Sequence, residues 1–220
     1  MMRDLFWGVV ERVPHTAWLN FTWLGDSGLM LPAALMITVW LALSRRTWPS
    51  AALWLVLFGF GASLILVSKL AFMGWGLGSA RFNFTGFSGH TAISASVWPV
   101  MLWIVSSRAA RWQRVALVLF AWALAAGIGV SRLALMAHSV SEVVTAFVIG
   151  VAVSGTFLVL QHHKQHPRLW WPVVVVSFLM PLLVHTPGTP APTHNLLEQI
   201  AVELSGAERP YTREDLLRRG

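Results

Sequence analysis

The feature that most restricts the fold of this chain is a series of six apolar runs, each about 16–19 residues long. The runs cover residues 27–44, 51–68, 91–107, 115–131, 143–161 and 169–184. At a rise of about 1.5 Å per residue, a helix of this length spans about 24–29 Å, close to the hydrocarbon thickness of a bilayer. The pattern therefore predicts an all-α fold, a bundle of six transmembrane helices.

The charge content supports the same class. Only 11% of the residues are charged and 56% are hydrophobic, whereas about 25% of the residues of an average soluble domain are charged. The net charge of +7 does not indicate a nucleic-acid partner, because the basic residues form short clusters between the apolar runs, as in the loops of membrane proteins. We expect membrane lipids around the chain. The absence of cysteine excludes disulfides and thiolate metal ligands.

Two segments flank the six-span domain of residues 27–184. Residues 1–26 mix charged residues with aromatic and aliphatic ones and are too polar to span, which predicts an interfacial amphipathic segment. Residues 185–220 begin with a proline-rich linker and continue with apolar residues at helical spacing. We expect this part to be an extramembrane tail with one or two short amphipathic helices.

The loop charges predict the orientation in the membrane. The loops after the first, third and fifth runs carry most of the basic residues, namely Arg45, Arg46, Arg108, Arg111, Arg114, Lys164 and Arg168. Loops rich in lysine and arginine face the cytoplasm. The other loops and both termini are then expected on the outer face, which is the periplasmic face of the inner membrane in a Gram-negative bacterium.

Polar residues gather on this predicted outer face. Glu142 is the one carboxylate between Asp26 and Glu198, and a carboxylate in an apolar environment is costly without a partner. Three cations share the face with it: Lys69, Arg81 and Arg132. Ser88 and Gly89 precede a helix start, where free N–H groups and the helix dipole favour an anion. The sequence therefore predicts a phosphate site made of Lys69, Arg81, Ser88, Gly89 and Arg132.

Two histidines on the same face offer a nucleophile and a proton donor. His138 and Glu142 are four residues apart and would share one face of a helix, so that Glu142 would fix the tautomer of His138 and stabilise its cation. His90 would protonate the departing oxygen. Structural alternatives stay open: Ser139 and Glu142 also fit a capping box at a helix start, and the cations would equally contact lipid head groups.

Two stretches resemble motifs of the type 2 phosphatidate phosphatase and vanadium haloperoxidase superfamily. Phe87-Ser88-Gly89-His90 is similar to its Pro-Ser-Gly-His motif, and Ser131-Arg132 with His138 and Glu142 is similar to its Ser-Arg-x5-His-x3-Asp motif. The resemblance extends over about residues 25–185. It implies that His138 forms a phosphohistidine, that Glu142 orients it and that His90 is the general acid. It further implies no metal or other cofactor, and phosphate binding by Lys69, Ser88, Gly89 and Arg132.

The first motif of that family, Lys-x6-Arg-Pro, is present only in part. Lys69 fits, but Gly76 stands at the arginine position and the proline is absent, so Arg81 is the nearby arginine that would replace it. The sequence predicts a membrane phosphatase for a lipid phosphate or diphosphate, of the isoprenoid diphosphate, phosphatidate or lipid A type. Two alternatives stay open: a lipid phosphotransferase with the same intermediate, and a non-catalytic membrane binding or scaffold protein.

Overall fold

The computed structural model describes Trp7, Gly8, Val10, residues 12–162 and residues 193–219. These residues form α1 (His15–Thr22), α2 (Ser27–Ala42), α3 (Trp48–Trp75), α4 (Gly89–Val105), α5 (Arg111–Ala134), α6 (Val140–Gln161), α7 (Thr193–Ser205) and α8 (Arg213–Arg219). Short 3-10 helices, Trp23–Gly25 and Arg45–Thr47, precede α2 and α3. In these ranges the one pairing of extended backbone is an isolated bridge between Ser79 and Phe84.

The helices follow the apolar runs of the sequence. Five of the six predicted spans correspond to α2, α3, α4, α5 and α6, which confirms the all-α class for the described part of the chain. The sixth predicted span, residues 169–184, lies outside the described residues. The count of six spans therefore stays a prediction.

Several helices are long enough for a bilayer. Four stretches of the described chain meet the length and hydropathy of a membrane span: His15–Ala42, Arg45–Trp75, Arg111–Ala134 and Val140–Gln161. Helix α4 is apolar but shorter. These helices are those of an integral membrane protein.

The first of these stretches includes α1, which the sequence had placed in an interfacial segment of residues 1–26. The helical path is interrupted at Asp26, whose backbone is extended with ψ near 142°. Its Oδ1 accepts a hydrogen bond of 2.7 Å from the Gly28 N–H, so Asp26 caps the helix that begins at Ser27. The predicted boundary at residue 26 thus coincides with a helix start.

Two helices extend past the ends of their apolar runs. The sequence placed Lys69 and Arg132 after spans, but Lys69 lies within α3 and Arg132 in the last turn of α5. Helix α3 ends where Gly76 adopts a left-handed conformation, with φ of 66°. A residue with a Cβ atom is disfavoured there by about 1–2 kcal/mol. Glycine at the arginine position of the first motif is therefore consistent with the way this helix ends.

Helix α4 lies at the centre of the bundle and packs most extensively against α5 and α6. Its Ala92 and Ala95 are almost fully buried. A Cβ atom on Gly150 of α6 would lie 2.5 Å from the Ala92 carbonyl oxygen and from the Ala95 Cβ. Only glycine permits such a close approach of two helices. This contact holds the first two turns of α4 against the middle of α6.

The C-terminal helices pack against the end of α3. Ala201 of α7 is fully buried, and a Cβ atom on Gly74 would lie 3.1 Å from the Ala201 carbonyl oxygen. The Tyr211 N–H donates a hydrogen bond of 2.8 Å to the Met73 carbonyl oxygen. Leu216 of α8 is buried beside Gly78. The sequence predicted the helices of this tail, and the structure adds that they cover the loop that follows α3.

Candidate active site

One end of the bundle brings the predicted site residues together. Helices α2, α4 and α6 begin there, and α3 and α5 end there. Several hydrogen bonds join the loop between α3 and α4 to α6. Among them, the Ser88 N–H donates to the Glu142 carbonyl oxygen at 3.3 Å, and the Ser141 hydroxyl donates to the Phe82 carbonyl oxygen at 2.7 Å. The two sequence motifs are therefore neighbours in space.

Glu142 is fully buried and accepts several hydrogen bonds. Its Oε1 accepts from the backbone N–H of Thr85 at 2.6 Å and from the Thr85 hydroxyl at 2.7 Å. Its Oε2 lies 2.7 Å from Nδ1 of His138 and accepts from the Ser139 N–H at 3.0 Å. An ionised carboxylate without such partners would cost on the order of several kcal/mol at this depth.

The capping box and the contact between His138 and Glu142 occur together. Ser139 caps α6, since its hydroxyl accepts from the Glu142 N–H at 3.4 Å while the Glu142 side chain bonds back to the Ser139 N–H. We predicted that His138 and Glu142 share one face of a helix, which is wrong in one respect, because His138 lies before α6 and not in it. The pair forms because the side chain of Glu142, in the first turn, points back over the residues that precede the helix.

The environment of His138 favours the neutral imidazole. A carboxylate accepts only, so Nδ1 of His138 carries the proton and Nε2 is the nitrogen with a free lone pair. Burial lowers the pKa of His138; the bond to Glu142 opposes this shift, and the charges of Lys69 and Arg132 reinforce it. A neutral imidazole held through Nδ1 is the form that attacks an electrophile through Nε2.

Arg213 is a site residue that the sequence analysis missed. Its Nη2 donates to both oxygens of Glu142, at 2.9 Å to Oε1 and 2.8 Å to Oε2. Its Nη1 donates to the carbonyl and side-chain oxygens of Asn83 at 2.9 and 2.7 Å. Local spacing in the sequence contains no signal for this contact, because the tail and α6 meet only in the folded chain.

Asp26 is a second residue that was missed. Its Oδ2 lies 3.5 Å from Nε2 of His90, and its side chain is almost fully buried. The sequence analysis placed this residue at the end of the interfacial segment and assigned it no role in the site. The same carboxylate caps α2 through Oδ1, so the cap fixes its position next to His90. Each of the two predicted catalytic histidines therefore has one carboxylate beside it.

Lys69 lies along the glycine-containing motif. A Cβ atom on Gly86 would lie 3.2 Å from Cγ of Lys69, and one on Gly89 would lie 3.9 Å from its Nζ. Gly86 also has φ of 139°, which disfavours other residues. Ser88 is fully buried, and its hydroxyl shares a hydrogen bond of 2.9 Å with that of Thr91. The Lys69 ammonium group therefore lies next to the N-terminus of α4.

Arg132 is the second cation near the N-terminus of α4. Its Nη1 donates to the Thr22 hydroxyl at 3.3 Å, whereas its buried Nε has no hydrogen-bond partner among the residues that the structure describes. Its charge interacts with those of Lys69, Asp26 and His90. Two partly buried cations beside a helix N-terminus form an environment that an anion stabilises.

Arg81 is not brought into this cluster. Its side chain is exposed, and its guanidinium lies 5.5 Å from the ring centroid of Phe82. Its role as a phosphate ligand stays a prediction. Across the described part of the chain, no three side chains of the histidine, cysteine, aspartate or glutamate type form a group that would hold a metal ion.

Comparison with known proteins gives the family. The sequence model of the PAP2 superfamily matches residues 70–166. A Klebsiella pneumoniae protein described as "Uncharacterized 22.5 kDa protein in cps region" is 41% identical over 202 residues, which is 90% of this chain and 97% of the relative. The chain belongs to the PAP2 superfamily. This membership confirms the family that the two motifs indicated. No solved structure matches the chain.

PAP2 membership supports a phosphatase-type function, because proteins of this superfamily are generally phosphatases. The matched region includes His90, Arg132, His138 and Glu142, and it begins one residue after Lys69. Asp26 and Arg213 lie outside it. The contacts of these last two residues therefore come from the structure of this chain and not from the family match.

Proposed function

We propose that this protein is an integral membrane phosphatase that hydrolyses a lipid phosphate or diphosphate through a phosphohistidine on His138. The observation that carries the proposal is the environment of that imidazole. Its Nδ1 is held by the buried Glu142, and its charge environment includes Lys69 and Arg132. This arrangement combines a neutral nucleophile with cations that bind the group it attacks.

In the proposed reaction, the phosphoryl group binds between Lys69, Arg132 and the backbone N–H groups of the first turn of α4, beginning with that of Gly89, because the Ser88 N–H already donates to the Glu142 carbonyl oxygen. The His138 Nε2 lone pair forms the N–P bond, and the bond between phosphorus and the leaving oxygen breaks. Protonated His90 gives its proton to that oxygen, and a carboxylate 3.5 Å away, Asp26, favours the protonated form before transfer.

Water completes the proposed cycle. His90, now neutral, accepts a proton from the water molecule that attacks the phosphorus of the phosphohistidine. The N–P bond breaks, its electron pair returns to Nε2 of His138, and phosphate leaves. The proton taken by His90 restores the acid for the next cycle, so the protein is unchanged at the end. Glu142 stabilises the His138 cation that is present in the intermediate.

A lipid substrate is supported by the apolar surroundings of this end of the bundle. Large apolar side chains are more than half exposed there, including Leu77, Phe82 and Met136 at 65, 61 and 81%. An open cleft of about 460 Å³ is lined by Trp7, Val10, Val13, His15, Trp18, Ala134 and Met136. Ala134 and Met136 of this lining belong to the segment that joins Arg132 to His138. We propose that the hydrocarbon part of the substrate lies in this cleft.

The side of the membrane follows from the loop charges. Arg45 and Arg46 lie between α2 and α3, and Arg108 lies between α4 and α5, at the end of the bundle opposite His138. Basic loops face the cytoplasm. We therefore propose that the site opens to the outer face, the periplasm of a bacterial inner membrane.

Phosphate release by the purified protein tests the proposal. We expect release from at least one lipid of a panel with phosphatidate, isoprenoid diphosphate and lipid A types, with EDTA present, and loss of that release in His138→Ala. His162→Ala is the matched control, because this histidine lies at the other end of α6, where its ring Nδ1 is 2.6 Å from the Val159 carbonyl oxygen. Release that survives in His138→Ala would contradict the proposal.

A further inference from the structure

We infer that Arg213, in the C-terminal tail, is a positioning residue of this site: its guanidinium fixes the Glu142 carboxylate and, through it, the imidazole of His138. The inference rests on the proposed role of His138 as nucleophile. It goes beyond the superfamily match, because Arg213 lies outside the matched residues. It assigns a function to a part of the chain that the sequence analysis treated as an amphipathic tail.

The geometry of the carboxylate is the first argument. Arg213 bonds both oxygens of Glu142 from one nitrogen, Nη2, and the same nitrogen donates to the Thr85 hydroxyl at 3.1 Å. The other nitrogen, Nη1, is held by Asn83. Since Thr85 also bonds Glu142 directly, the carboxylate is enclosed by a closed set of hydrogen bonds. Because Arg213 and Thr85 hold the Glu142 carboxylate in one orientation, its Oε2 faces Nδ1 of His138.

The charge balance is the second argument. Glu142 is fully buried, and Arg213 forms the one salt bridge with it from a permanent cation in the described part of the chain. An arginine remains protonated at all pH values of interest and offers a planar fork that a lysine does not reproduce. Loss of this cation would leave His138 as the nearest group able to balance the buried negative charge.

Contacts within the tail fix the position of the Arg213 side chain. Arg209 forms two hydrogen bonds with Asp215, at 2.8 and 2.9 Å, and Asp215 also accepts from the Thr212 N–H and hydroxyl, each at 2.9 Å. These bonds lower the pKa of Asp215, first of all through Arg209. They close the turn that starts α8. Buried Leu216 anchors the helix, so Arg213 projects onto Glu142 from a fixed position.

The inference predicts a specific change at His138. The charged groups that interact with this imidazole are Glu142 of α6, Lys69 of α3 and Arg132 of α5, and Arg213 acts on it through Glu142. Without Arg213, the full negative charge of Glu142 would act on His138 and favour its protonated form. The pKa of His138 should therefore rise when Arg213 is removed, and the fraction of neutral nucleophile at acidic pH should fall.

The test uses full-length Arg213→Ala and, as matched control, Arg218→Ala, which removes the same charge from an exposed position on the same helix. Diethyl pyrocarbonate modifies neutral imidazole, so its rate at His138, measured by peptide mass spectrometry across pH, gives the midpoint without any substrate. We expect the midpoint to move up by about 1 pH unit in Arg213→Ala and to stay unchanged in Arg218→Ala. Equal midpoints in the two variants would overturn the inference.

Steady-state kinetics provide the second readout. We expect kcat to fall by about 10- to 100-fold in Arg213→Ala with KM nearly unchanged, because a misplaced nucleophile affects the chemical step. If Arg213→Ala is not recovered in folded form, the same two measurements on Arg213→Lys test the inference. This variant should keep the wild-type midpoint but lose at least about 10-fold in kcat, because the charge remains while the fork is lost. Wild-type kcat in Arg213→Lys would then overturn the inference.

The two proposals fail separately. If the wild-type protein releases phosphate from no lipid of the panel, the proposed phosphatase function fails. The diethyl pyrocarbonate measurement needs no turnover, so it still decides whether Arg213 controls the state of His138.

Discussion

At the scale of single residues, Glu142 combines two roles that sequence reasoning treated as alternatives. It closes the capping box of α6, and it holds His138. Glu142→Gln separates these roles, because glutamine also serves at the third position of a capping box while it removes the charge. We expect Glu142→Gln to fold like the wild type and to lose on the order of 10²- to 10⁴-fold in kcat. Near wild-type turnover in this variant would leave only the capping role.

Asp26 also has two roles that a substitution can separate, because it caps α2 and lies beside His90. Asn is as good a helix cap as Asp, so Asp26→Asn should preserve the start of α2 while it removes the negative charge beside His90. If His90 is the acid that protonates the leaving oxygen, we expect about 10-fold slower turnover of an alkyl phosphate and a much smaller effect on p-nitrophenyl phosphate, whose leaving group needs no proton. An equal effect on both substrates would remove Asp26 from proton transfer.

The partial burial of His138 predicts a pH dependence. Burial lowers its pKa, so the imidazole should remain neutral, and competent as a nucleophile, at pH values where an ordinary histidine is already protonated. We expect the midpoint for its reaction with diethyl pyrocarbonate in the substrate-free wild-type protein to lie below about pH 6.5. A midpoint above that value would mean that the attraction of Glu142 outweighs the effect of burial.

At the scale of helices, the sequence predicted what depends on local pattern. The apolar runs located α2 to α6, because a helix that spans a bilayer needs an uninterrupted apolar stretch. The motif around His90 and the spacing of Arg132, His138 and Glu142 are also local patterns. They identified the end of the bundle where the site lies. Helix ends were less predictable, since α3 and α5 continue past their apolar runs into the site and carry Lys69 and Arg132 there.

Contacts between distant segments were not predictable from the same pattern. Arg213 and Glu142 are 71 residues apart, and the helical period of the tail says that α7 and α8 exist but not where they dock. Docking depends on Gly74 and Gly78, whose lack of a side chain admits Ala201 and Leu216. The contact between Asp26 and His90 depends likewise on the packing of the segment before α2 against α4 and α5.

At the scale of the whole molecule, the proposed orientation places the site and the tail on the outer face. The chain has no cysteine, so single cysteines can be introduced without background labelling. Both Ala110, before α5, and Glu208, in the tail, are exposed. With an impermeant thiol reagent on intact cells, we expect Glu208→Cys to react and Ala110→Cys to react only after lysis. The reverse pattern would place the site in the cytoplasm.

The proposed mechanism requires that His138 becomes covalently phosphorylated during turnover. The most direct measurement is to quench the protein during turnover of a lipid labelled in its phosphate, with EDTA present, and to map any acid-labile phosphate by peptide mass spectrometry under alkaline conditions. We expect a phosphohistidine at His138 in the wild type and none in His138→Ala. Turnover of the same lipid with no covalent phosphate at His138, or with phosphate on another residue, would contradict the mechanism.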